Sequence, residues 1–446
     1  MVSLYRTFAQ ALHWNTLECV IYQGLFLAHQ IAFFSHASAP LYGLVGILFS
    51  LVYLMVYFGN CGLDASLAPF FHQSSADKHS FKAIVVPQLA VNALLYSAAL
   101  SIIYIVKTLL LPISISPLLY CILSLLVLSE STKKTIRTLL HLAFLNKTTT
   151  VIEILSISSY TGLVWLIYYL QGGFTVYTLF VPMLLVSCSV TTALALVLYR
   201  WYSSLPDAAS VHTQVPLKRL LKSRLFTSVH TLGHIVFSSN FIVPLCAARF
   251  GLEHAGVLKF ISTIAYTVAA IVHRIFGFSL DALFIRITNT NNNASEKEAF
   301  SLATEKLHHV LYAVLLFLCI NHHKIIGLRA QESSFLTTSS AFVFLILMLS
   351  EHLFTVYEKF YISKERADVL VFLHSIVTAS AYMIITFTQW SSLTYMLSVI
   401  VVIRLAACAL LAALSFYQWR IVPSFRLNPT YVAAALSFAL LFFICV

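Results

Sequence analysis

Apolar runs of about 20 residues recur from one end of this sequence to the other, and nothing else constrains its fold so tightly. A helix of that length crosses the hydrocarbon core of a bilayer, which is about 30 Å thick. Twelve runs are read at 16–36, 42–60, 82–106, 109–128, 150–170, 175–199, 226–248, 255–276, 304–321, 335–350, 367–388 and 394–418. A last run, 430–446, is short enough either to make a thirteenth span or to lie in the interface. Only 10% of the residues are charged and 60% are hydrophobic, whereas soluble domains are about 25% charged. A membrane β-barrel would show short alternating segments instead. The fold class is therefore all-α, a polytopic membrane protein of about 12 helices.

The formal net charge is +11, yet it does not point to nucleic acid. The basic residues gather mostly in the links between runs, where they set topology. With the N-terminus in the cytoplasm, 21 of the 27 lysines and arginines fall on the cytoplasmic side, all except Lys107, Arg249, Lys259, Lys324, Arg329 and Arg404. That orientation in the cell inner (cytoplasmic) membrane is the expected one. The first run has only Arg6 before it and no small-residue cleavage site, so it is expected to stay as a membrane helix. Residues 130–149, with Lys133, Lys134, Arg137 and Lys147, read as an amphipathic helix lying in the interface. The eight cysteines show no CxxC pairing; six lie inside apolar runs and read as packing residues, and Cys19 and Cys61 lie near expected helix ends.

The sequence also repeats itself. Gln171 and Gln389, Tyr177 and Tyr395, Tyr199 and Tyr417, and Trp201 and Trp419 are each 218 apart, and Asp64 and Asp281 are 217 apart. An ordered series at nearly fixed offset indicates duplication, where single identities in leucine-rich sequence would not. Six spans per copy is an even number, so both copies start on the same side and the repeat is parallel. Residues 1–200 form the N-terminal six-helix bundle and 225–420 the C-terminal one. A basic cytoplasmic linker, 201–224, joins them, and 421–446 is a tail. Such halves usually enclose a central cavity between them.

Polar groups inside spans are expensive and tend to face a cavity or a partner helix. In the first span Asn15, Glu18, Tyr22 and His29 share one helical face. Its repeat partner carries His230, His234 and Ser238 at i, i+4 spacing. Arg404 lies mid-span, with Lys259 early in its span and Arg249 at a span end. Arg404 and Lys259 are candidates to attract an anion such as a phosphate or pyrophosphate, or else to pair with Glu18, Glu153 or a backbone carbonyl. Asp64 and Asp281 follow equivalent spans and are read as gating or structural residues. The histidine spacing has no accompanying carboxylate or cysteine set, so no metal site is assigned, and no cofactor either. No GxxxxGK[ST], HExxH or GxSxG pattern occurs, and no long outward loop is left to hold an active site. A non-enzymatic membrane protein is expected.

The run from Trp14 to Leu67 carries a resemblance. Its polar-striped first helix leads through Ser38-Ala39-Pro40-Leu41-Tyr42-Gly43 to an apolar helix ending Gly62-Leu63-Asp64-Ala65-Ser66. The pattern returns from Ser238 to Leu283, with Phe241-Ile242-Val243-Pro244-Leu245 before Phe250-Gly251-Leu252-Glu253. Over most of residues 8–420, and most strongly in the run from Trp14 to Leu67, the chain resembles the multidrug/oligosaccharidyl-lipid/polysaccharide flippase (MOP) superfamily, particularly its polysaccharide-export branch. The resemblance implies two six-helix bundles around a central cavity. It also implies flipping of an undecaprenyl-diphosphate-linked oligosaccharide by alternating access, with Arg249, Lys259 and Arg404 as head-group residues. The partners would be that polyprenyl-diphosphate-linked oligosaccharide, membrane lipids, and a polysaccharide polymerase or glycosyltransferase complex. The alternative is export of a drug-like or other small solute by a related fold. A membrane polymerase or ligase would require an outward loop with paired basic residues and no duplication.

Overall fold

The computed structural model describes residues 2–63, 66–67, 70, 77–109, 116–143, 145–207, 216–235, 238–263, 355–364, 366–387 and 392–419, with scattered positions at 297–347 and 429–437. All regular structure in these residues is helical. In order, the helices are α1 (Val2–His36), α2 (Ala39–Gly59), α3 (Lys78–Leu109), α4 (Pro117–Leu142), α5 (Asn146–Gln171), α6 (Val176–Ser203), α7 (Leu217–Ile235), α8 (Ser239–Phe250), α9 (Thr355–Ser363), α10 (Ala367–Phe387) and α11 (Leu393–Trp419). A further helical stretch covers 252–263. Among the described residues, six helices are long and apolar enough to cross a membrane. Leu155, Leu166, Leu185 and Leu196 are each more than half exposed on α5 and α6. Such a surface favours association in water and suits lipid contact. The chain is an all-α, multi-pass membrane protein.

Local sequence sets the helix ends. Ser116 accepts a hydrogen bond from the Leu119 amide at 3.2 Å, and Pro117 takes the first helical position of α4, where its missing N–H has no intrahelical partner to lose. Thr175 and Thr178 form a reciprocal capping box at the start of α6. Two expected boundaries move. Residues 130–149 do not form a separate interfacial helix. Instead α4 runs unbroken to Leu142, and α5 starts at Asn146. The reason is charge pairing, described below, which lets the basic end of α4 stay packed. The run 226–248 is not one helix either. Ser238 has extended backbone (φ −76°, ψ 154°) and precedes α8. Serine competes for backbone hydrogen bonds and favours such N-terminal flanks.

The contacts divide the chain into two compact units, residues 1–29 with 48–235, and residues 30–47 with 236–446. In the first unit α4 packs mainly against α6, and α6 also packs against α5. One core there is built from Leu63, Leu67, Phe70, Phe81, Ile84, Val85, Leu139 and Leu220. The end of α2 is fixed by polar contacts. Asn60 Oδ1 accepts from Thr135 Oγ1 at 2.7 Å and from the Tyr96 hydroxyl at 3.0 Å. Gly62 takes φ +69°, and a Cβ there would lie 2.5 Å from the Ser228 backbone nitrogen. Only glycine meets both demands.

In the second unit the 30–47 segment packs on 252–263. Phe34 stacks on Phe260 with centroids 3.9 Å apart, and the Tyr42 hydroxyl donates to Gln30 Oε1 at 3.2 Å. Elsewhere in this unit α9, α10 and α11 pack together.

One surface ion pair tests how little exposed charge contributes. Lys78 Nζ lies 2.7 Å from Asp207 Oδ1, and the Asp207 side chain is 91% exposed. The hydrogen bond from Lys78 holds the Asp207 carboxyl below its ordinary range. A lowered carboxylate pKa gives stability that is present above the unfolded value, about 3.9, and lost as pH falls through the folded one. Because the pair is solvated, Asp207→Asn is expected to shift the melting temperature at neutral pH by no more than about 1 °C. Differential scanning fluorimetry of the purified protein checks this.

Candidate functional site

The polar face of α1 meets α4 and α5 level by level. Asn146 Nδ2 donates to Asn15 Oδ1 at 2.6 Å, and Thr150 Oγ1 donates to the Trp14 carbonyl at 3.2 Å. Further along, Glu18 pairs with the Arg137 guanidinium. The same guanidinium lies 3.6 Å from Glu153 Oε1 through its other terminal nitrogen. Arg137 Nε donates to His141 Nε2 at 3.1 Å. On the same face of α4, Lys133 Nζ is 2.7 Å from Glu130 Oε1, and Lys134 Nζ sits 4.2 Å above the Tyr57 ring.

Beyond the charged level the site becomes aromatic. Tyr22 stacks with Phe26 at 6.5 Å. His29, 2% exposed, meets Tyr160 edge-on at 5.2 Å and Trp165 at 6.4 Å. Trp165 in turn meets Phe174 at 5.3 Å. Glu153, Tyr160 and Val164 lie along one buried face of α5, which is why a stripe on α1 finds a matching stripe opposite.

This arrangement has a physical logic. A buried carboxylate far from water is costly unless it is paired and hydrogen-bonded. Glu18 and Glu153 share one guanidinium, whose planar fork can reach two acceptors at once. The result is a mixed-charge level bordered by aromatic rings.

The remaining expected site residues lie elsewhere. His230 is buried on α7 in the first unit. In the second unit Arg249 is exposed near the end of α8, and Lys259 is half-buried, with Gly46 against its aliphatic stem. Arg404 is fully buried on α11. In that same unit His374 Nε2 is 3.9 Å from Glu358 Oε1. The His234 side chain, Asp64 and Asp281 lie outside the described residues. The structure thus brings Glu18, Tyr22 and His29 together with Glu153, which the sequence offered as an acidic partner for a buried cation, and adds Arg137 and Lys133, which the sequence reading did not place there. Their signal was the spacing of Glu130, Lys133, Lys134, Arg137 and His141 along a single face.

No protein-family model matches the sequence, and a comparison with curated proteins returns no match. The solved structures do match. The chain is similar to an inward-facing multidrug resistance MATE family transporter of the MOP superfamily, with TM-score 0.64 and 14% identity over 90% of this chain and 94% of that one. It is similar to an outward-facing transporter of that family, with TM-score 0.66 and 13% identity over 92% and 95%. A third is a MOP superfamily transporter from Pyrococcus furiosus described as having a binding pocket of reversed polarity, with TM-score 0.67 and 12% identity over 92% and 95%. The chain shares the fold of these transporters.

These matches correct two expectations. The structures sharing the fold include multidrug transporters, so the assignment as an undecaprenyl-diphosphate-linked oligosaccharide flippase falls. With it fall the partners it implied, the polyprenyl-diphosphate-linked oligosaccharide and the polymerase or glycosyltransferase complex. The physical reason is that the segments carrying the resemblance specify helix packing, which a superfamily shares, and not the cargo.

Proposed function

We propose that the chain is a secondary transporter of the cytoplasmic membrane that exports a small, drug-like solute by alternating access. The observation that carries this reading is the fold likeness, over nine-tenths of the chain, to transporters solved in both inward-facing and outward-facing forms. A site exposed in turn to each side is how parallel-repeat transporters work. The finer points belong to the same reading. They are twelve spans in two duplicated bundles, at 1–200 and 225–420, with the N-terminus in the cytoplasm. Glu18, Tyr22 and His29 line the solute site with Arg137 and Glu153. Arg404, Lys259, Arg249, His230 and His234 are further candidates, and Asp64 and Asp281 are gating or structural residues.

The test is dye accumulation in cells stripped of their own efflux pumps. Expression of the wild-type chain is expected to lower accumulation of at least one amphiphilic aromatic dye. Glu153→Gln, at equal membrane abundance, is expected to weaken export about tenfold, the scale of losing one buried ion-pair contact. Accumulation equal to that of empty-vector cells for anionic, neutral and cationic dyes alike would remove the transport reading.

A further inference from the structure

We infer that the charged face of α4 recognises an anionic group on the solute, a carboxylate or a phosphate. This rests on the transport reading above and gives it a substrate class. Glu130, Lys133, Lys134 and Arg137 fall at i, i+3, i+4 and i+7, one helical face. Across this cluster the two signs of charge lie at different depths. The side chains of Glu18 and Glu153 are 2% exposed, whereas Arg137 is 20% exposed. Glu130 is 9% exposed against 14% for Lys133, and Lys134 is partly exposed. An approaching solute therefore meets cations first, with the carboxylates beneath them.

Three carboxylates and three cations cancel in number, so depth decides the polarity. Coulomb energy falls with distance, and the nearer charges dominate what the solute feels. The buried carboxylates also hold the cations in position, which reduces the ordering an incoming anion must impose. Arg137 directs donors to Glu18 and His141 and turns its other terminal nitrogen toward Glu153; each terminal nitrogen carries two N–H groups, and the second N–H on each is the donor a ligand would take. Tyr22 lies within electrostatic reach of both Lys133 and Arg137. With Tyr57 beneath Lys134, it supplies ring faces for a planar organic body.

The experiment compares two dyes on the full-length purified protein by fluorescence anisotropy. Carboxyfluorescein carries carboxylates, and ethidium is a cation of similar size. Wild type is expected to bind carboxyfluorescein more tightly. Lys134→Glu reverses one cation outside the Glu18–Arg137 pair, and is expected to lower carboxyfluorescein affinity at least about tenfold, while Lys134→Arg keeps it. Failure of wild type to bind carboxyfluorescein, equal or tighter binding of ethidium, or indifference to Lys134→Glu would overturn the inference. Dye movement in reconstituted vesicles separates the two readings. Movement of ethidium in place of carboxyfluorescein leaves transport standing and removes the anion site. Binding of carboxyfluorescein without movement of either dye leaves the anion site and removes transport.

Discussion

Replacing Arg137 by leucine is expected to destabilise the protein by about 3–5 kcal/mol, the largest effect of any single change in the first unit. The guanidinium is shared by Glu18 and Glu153, both 2% exposed. Removing it strands two buried carboxylates whose desolvation nothing then offsets. Leucine fills much of the space, so the loss comes from charge more than from a cavity. The signature of that cause is rescue. Arg137→Leu combined with Glu18→Gln and Glu153→Gln removes both stranded charges and is expected to recover more than half of the lost stability. Thermal melting and monodispersity in detergent measure both variants. A single mutant as stable as wild type, or a triple mutant no better than the single one, would show that these three groups do not act as a unit.

The second large effect lies in the second unit, at two glycines three residues apart. A Cβ on Gly43 would sit 2.2 Å from the Leu252 carbonyl oxygen, which is backbone and has no room to retreat. A Cβ on Gly46 would sit 2.8 Å from Lys259 Cγ, part of a flexible side chain that can swing aside. Gly43→Ala is therefore expected to cost about 2–3 kcal/mol or more, and Gly46→Ala less than about 1 kcal/mol. The Gly43 change should also lift the 30–47 segment from the 252–263 helix. Ala37 is 3% exposed, so a cysteine placed there is expected to react with a polar maleimide faster in the Gly43→Ala background and at unchanged rate in the Gly46→Ala background. Equal effects of the two substitutions on stability and labelling would contradict the close backbone approach at Gly43.

The same residues show what the sequence could and could not reveal. The stripe of Asn15, Glu18, Tyr22 and His29 was legible, because helical periodicity puts residues at such spacings on one face. Its partners were not. Lys133, Lys134 and Arg137 read as a basic face lying in the interface, since three cations in a short stretch are usually solvated. Their buried counter-ions, Glu18 and Glu153, are separated from Arg137 by many residues in one case and by a helix turn-round in the other. Periodicity carries no information about such pairings between helices. The break at Ser238 was hidden for a related reason, because hydropathy stays high across it while the backbone leaves the helix. The fold shared with the solved transporters was visible in the arrangement of the first two spans, which packing fixes. The cargo was not, because a few side chains choose it while packing alone fixes the helices. The basic residues that first suggested a lipid diphosphate, Arg249, Lys259 and Arg404, lie in the second unit. The densest charged cluster described above lies in the first.

The most direct test of a transport role is dye flux through the purified chain in sealed vesicles. Wild-type protein is expected to move carboxyfluorescein in a saturable manner, with flux lost in Arg137→Leu and reduced in Lys134→Glu. Vesicles containing well-folded wild-type protein that remain as tight as protein-free vesicles to anionic and cationic dyes alike would contradict it.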